Sequence, residues 1–200
     1  MNVKADTPRL RMQAQLNRQR YFMWSGYAVF IWSIAYMLPH LYWALGGTSG
    51  LTMLKPDISE SPQWEMINWV ASGFLTAAGL LGITAIYFRK RKYLSWLFLT
   101  VLLAGCSLST AHGIYGIVNR ILQITGVAGV DSVPFNSKQH AYVLWDLFLY
   151  EPWFLIEGIL LGFLGWCFMN KPRGKQIWLT LCTIGTIVGL ITGLLGVRFA

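Results

Sequence analysis

The sequence predicts an all-α integral membrane bundle of five transmembrane helices, with the N-terminus cytoplasmic and the C-terminus outside. Three observations carry that prediction. Of 200 residues, 55% are apolar and 12% charged, about half the charge fraction of a soluble domain. Five apolar runs match the roughly 20 helical residues needed to cross a hydrocarbon core. Basic residues alternate between successive connections, twelve Lys and Arg against four, and cytoplasmic segments carry such an excess. The net charge of +8 sits in short clusters between apolar runs, which favours membrane topology over nucleic-acid binding. No unit recurs at a fixed spacing, so a solenoid is excluded.

Residues 1–20 form a basic cytoplasmic tail with Lys4, Arg9, Arg11, Arg18 and Arg20. The tail is expected to lie on the inner leaflet as a short amphipathic helix, through Leu10, Met12 and Leu16. It is too long and polar for a cleaved signal peptide, so the first apolar run is expected to stay as an anchor. Residues 21–200 read as a single transmembrane domain. The first span covers 21–45 and the second 67–88, joined by a long loop containing Gly, Pro and acidic residues. Arg89, Lys90, Arg91 and Lys92 make a tight basic hairpin into the third span, 94–118. A second long loop leads to the fourth span, 143–169. Lys171, Arg173 and Lys175 mark the hairpin into the fifth, 177–197. Lipid offers no partner to a backbone amide, so each run must be a helix. Loops of about twenty residues can cap a site, which makes the outer face the expected functional side.

Ionisable groups at membrane depth are costly and mark function. Here they are His40, His112, Asp146, Glu151 and Glu157. At about 1.5 Å per residue, His40, His112, Tyr150 and Glu151 fall about 7–12 Å below the outer boundary. Asp146, Tyr150, Trp153 and Glu157 are spaced to share one helical face. Glu151 is expected to point roughly 140° away, towards a different neighbour. Pro152 withholds its amide from the Phe148 carbonyl and should kink the fourth span there, and Pro39 does the same to Ala35 in the first. Tyr36, His40 and Trp43 share a face, and His112 shares a stripe with Gly105, Ser109 and Gly116.

Two features read as packing. Gly185, Gly189 and Gly193 on the fifth span, with Gly158 and Gly162 on the fourth, are expected to press those two spans together, with homodimerisation as the alternative. Cys106, Cys167 and Cys182 lie in apolar runs without CxxC spacing, which suggests apolar packing and no thiolate metal site.

The same residues carry a family resemblance. His40-Leu41-Tyr42-Trp43-Ala44-Leu45-Gly46-Gly47, followed by Gly50-Leu51, resembles a signature of small bacterial membrane proteins catalogued as DUF family 3995. Trp145-Asp146, Leu149-Tyr150 and Pro152 resemble its second signature, and Asn119-Arg120 matches a basic position after the third helix. The resemblance spans roughly residues 25–168. It implies a four-helix core with the fifth helix as an addition, and no activity. Glu151 stands where the family often has a small residue.

The functional expectation is a multi-pass protein of the cell membrane, with a pocket near the outer leaflet for a lipid, isoprenoid or other amphipathic small molecule. Glu151, Asp146, His40 and His112 are the acid–base candidates. Tyr36, Trp43, Tyr150, Trp153, Glu157 and Arg120 are the ligand-binding ones. No metal or cofactor is called for. Two alternatives stand beside this: a non-enzymatic accessory, immunity or transport-associated subunit with a partner protein, and haem b ligation by His40 and His112 for electron transfer.

Overall fold

A computed structural model describes residues 7–54, 58–88, 91–127 and 137–195. Among them are six α-helices and no strand: α1 (Thr7–Ala44), α2 (Trp64–Phe88), α3 (Lys92–Thr125), α4 (Lys138–Trp145), α5 (Glu151–Phe168) and α6 (Pro172–Leu194). One π turn, Asp146–Tyr150, joins α4 to α5, so these form a single rod. Two short 3-10 turns, Leu51–Met53 and Ile58–Glu60, lie between α1 and α2. Five helical stretches are long and apolar enough to cross a membrane: Met12–Ala44, Trp64–Phe88, Tyr93–Thr125, Lys138–Phe168 and Pro172–Leu194. No more than 33% of the most apolar window of any of them is buried. The apolar surface therefore faces outward, as a hydrocarbon solvent requires.

The helices pack in the order α2, α1, α5, α3, α6, while α2 and α3, joined by a tight connection, touch little. The apolar core includes Phe22, Phe98, Leu102, Leu161, Leu164, Phe168 and Trp178, towards the α5–α6 turn. The buried Asn68, Asp146 and Glu151 belong to the opposite end. Arg18 ties α1 to the α5–α6 turn by donating to the Met169 carbonyl and Asn170 Oδ1.

Three expectations are corrected. The N-terminal tail is not a separate surface helix: α1 runs unbroken from Thr7 through the first span, because residues 9–20 are mostly good helix formers. The glycine ridges do not press the fourth and fifth spans together. Cβ atoms at Gly185 and Gly189 would meet Ser107 and Ala111 of α3, and Cβ atoms at Gly158 and Gly162 would meet Thr110 and Cys106 of α3. Helix α3 is the common partner, gripped on two sides. Nor does Glu151 stand as far round from Asp146 as expected. The π turn closes an i→i+5 bond, the Glu151 amide donating to the Asp146 carbonyl, and that added residue narrows the expected offset, although each carboxyl still meets a different neighbour, His112 for Glu151 and Arg120 for Asp146. The interruption predicted at Pro152 takes this form. Lys4, Lys55, Arg89, Lys90, Arg198, residues 128–136 of the second long loop and the end of the fifth span at 196–197 lie outside the described residues.

Candidate functional site

The candidate residues gather at one end of the bundle. The C-terminal part of α1, the start of α2, the later half of α3 and the α4–α5 junction meet there. Their polar side chains form two linked groups.

The first joins α3 to the π turn. Arg120 Nε donates to Asp146 Oδ2, Nη1 to Gln123 Oε1 at 2.9 Å and Nη2 to the Tyr142 hydroxyl at 2.8 Å. The guanidinium also sits 5.1 Å from the Tyr142 ring centroid. Asp146 is thus a buried carboxylate with a fully engaged cation, as burial of charge demands. One turn further on, Glu151 enters a notch in α3: Cβ atoms at Gly113 and Gly116 would collide with its backbone carbonyl and its carboxyl. Its Oε2 lies 3.7 Å from His112 Nε2 and has no hydrogen bond within the described residues. The Glu151 side chain is 8% exposed, whereas His112 is 36% exposed. A sealed carboxyl therefore stands behind an accessible imidazole.

The second group joins α1, α2 and α5. His40 Nδ1 donates to Asn68 Oδ1 at 2.9 Å. The amide is oriented by its other end, since Asn68 Nδ2 donates to the Trp64 carbonyl at 2.8 Å. This assignment leaves His40 Nε2 as an acceptor in the neutral ring. Tyr36 packs edge-on to His40 at 5.1 Å and to Phe154 at 5.5 Å, and Phe154 in turn meets His112 at 4.4 Å. Trp153 stacks on Trp32 at 4.2 Å and on Tyr36 at 5.1 Å. Deeper in the bundle, Ser33 Oγ donates to Glu157 Oε1 at 2.7 Å.

Tyr36 is buried within electrostatic range of Tyr142, Asp146, Tyr150 and Glu151, so the two groups share one region. His112, Glu151, Asp146 and Arg120 come together, with Tyr36 and Phe154 linking them to His40. Glu157 faces α1 instead. Trp43 serves the first loop: its Nε1 donates to the Ser49 carbonyl at 2.9 Å, and its ring meets His40 and Trp64. Haem ligation fits poorly, because Tyr36 and Phe154 link the two imidazoles and the rings already face Asn68 and Glu151. Sequence reasoning missed Asn68, Tyr142, Phe154 and Ser33. Asn68 and Ser33 were legible as polar residues inside apolar runs, whereas Phe154 carried no signal among so many aromatics.

A family model, described as a protein of unknown function (DUF3995), matches residues 33–161. The chain belongs to this family. No curated protein and no solved structure matches it. Every candidate residue lies within the DUF3995 segment, and α6 lies beyond it. Within that segment the residues of the first signature build a turn. The Tyr42 hydroxyl donates to Ser49 Oγ at 3.0 Å, and Gly46 and Gly50 take φ values of 86° and 82°, a left-handed backbone that glycine adopts at least cost. The 3-10 turn at Leu51–Met53 then rests on α4.

Proposed function

We propose that this protein binds an amphipathic small molecule from the bilayer and exchanges a proton with it at His112. The observation that supports this most is the pairing of the accessible His112 ring with the sealed Glu151 carboxyl. A base must reach its substrate, and the group that orients it need not. Glu151 in its notch faces the imidazole at 3.7 Å without a hydrogen bond and acts on it through space, and Asp146, already neutralised by Arg120, fixes the π turn that aims Glu151. Helices α2 and α3 touch little, so a hydrophobic molecule has a lateral way in from the lipid, past Tyr36, His40 and Phe154.

The alternating basic residues support an N-terminus in the cytoplasm of a cell-membrane protein, so the site opens to the outer half of the bilayer. The test is mass spectrometry of the amphiphile that co-purifies with the full chain in lipid nanodiscs. Wild type should retain a defined molecule, and His112→Ala and Glu151→Gln should lose most of it while staying folded. Equal retention by all three proteins would overturn the proposal.

A further inference from the structure

At the other end of the molecule α1 carries a groove of about 470 Å³, lined by Leu16, Gln19, Arg20, Met23, Trp24 and Tyr27. Its volume lies within the range of about 300–1,000 Å³ common for small-molecule sites. These residues recur at helical spacing on one face, while Phe22, Ser25, Gly26 and Val29 bury the other against the bundle. The groove therefore opens away from the protein.

Its polarity runs along the helix. Counted back from Ala44 at about 1.5 Å per residue, Arg20 lies about 36 Å away, Trp24 about 30 Å and Tyr27 about 25 Å. With Ala44 at one edge of a hydrocarbon core about 30 Å thick, Arg20 falls in the opposite headgroup layer. Trp24 then marks the boundary, and Tyr27 lies just inside it, as interfacial aromatics do. Arg20 has no ion pair or hydrogen bond among the described residues, whereas its neighbour Arg18 is committed to the α5–α6 turn. The groove thus offers a free cation at headgroup level and an aromatic wall, 62% exposed at Trp24, at acyl-chain level.

We infer that this groove is a binding site for one anionic phospholipid, its phosphate on Arg20 and Gln19 and its acyl chain along Met23, Trp24 and Tyr27. Charge complementarity selects the occupant: an apolar partner helix would leave the Arg20 guanidinium without a counter-charge in the headgroup layer, whereas a phospholipid presents phosphate and chain in the order the groove does. The site is separate from the His112 region and needs nothing from it.

The test is native mass spectrometry of the full chain released from nanodiscs of equal parts phosphatidylglycerol and phosphatidylcholine. Wild type should retain phosphatidylglycerol preferentially. Arg20→Gln should lower that preference about fivefold, the effect of one basic residue near an anionic surface, and Arg20→Lys should restore most of it. Trp24→Ala should weaken retention of both lipids, while Arg173→Gln, outside the groove, should change neither. Undiminished preference in Arg20→Gln would overturn the site. So would a lipid-free dimer of the wild type, which would assign the face to a second copy of the chain.

Discussion

The Glu151 carboxyl occupies the space that a side chain at Gly116 would fill. Helix α5 can approach α3 this closely only because positions 113 and 116 carry no Cβ, and that approach sets the carboxyl beside His112. Gly116→Ala should therefore act twice. It should cost about 1–3 kcal/mol of stability, the usual penalty for overpacking, and it should push Glu151 away from the imidazole. Thermal unfolding in nanodiscs reads the first effect and retention of the co-purified amphiphile reads the second. A variant with wild-type stability and retention would mean that the notch is dispensable.

The Arg120–Asp146 pair makes a different kind of contribution. Both side chains are largely buried, at 18% and 10% exposure, so removing one partner strands the other charge. Asp146→Asn or Arg120→Gln alone should destabilise the fold by about 3–5 kcal/mol. The double variant should lose clearly less than the two single losses combined, since neither charge is then left unpaired. Simple additivity in an unfolding cycle would show that the pair is not coupled.

The five spans were legible because lipid demands about 20 apolar residues and the chain supplies five such runs. Their ends were less so. Hydropathy marks where the chain meets lipid, not where its backbone stops being helical. Helix α1 is therefore already formed at Thr7, the first described residue and well before the first apolar run, and α3 continues to Thr125. The polar residues of the site were visible one at a time, but their pairing was not. Reading faces at 100° per residue placed Glu151 far round the helix from Asp146, and the π turn reduced that offset. Pro152 signalled an irregularity without disclosing its form. The glycine ridges likewise announced close packing without naming the partner.

The first loop offers a test of how its signature works. A Cβ at Gly46 would meet nothing, so Gly46→Ala suffers only from its φ of 86°, a strain of about 1 kcal/mol or somewhat more. At Gly47 a Cβ would run into the Tyr42 ring, displacing the hydroxyl that holds Ser49. Gly47→Ala should therefore open the loop more than Gly46→Ala, seen as faster proteolysis between residues 46 and 54. Equal cleavage rates would deny Tyr42 a clamping role.

Helix α6 is attached chiefly through α3, and two thiols report on that attachment. Cys106 and Cys182 are neighbouring buried thiols across the α3–α6 interface, a juxtaposition that their separation in sequence concealed. Gly189 faces Ala111 at the same interface, where an added Cβ would come within 2.7 Å. Gly189→Leu should consequently lever α6 away from α3, while the four-helix segment that lies within the family match keeps its own packing. A membrane-permeant oxidant should join the two thiols in the wild type, read as a loss of two alkylatable cysteines in the intact mass. In Gly189→Leu that cross-link should fall sharply, while the amphiphile held near His112 is retained. Loss of both together would make α6 part of the site's support rather than an addition to it.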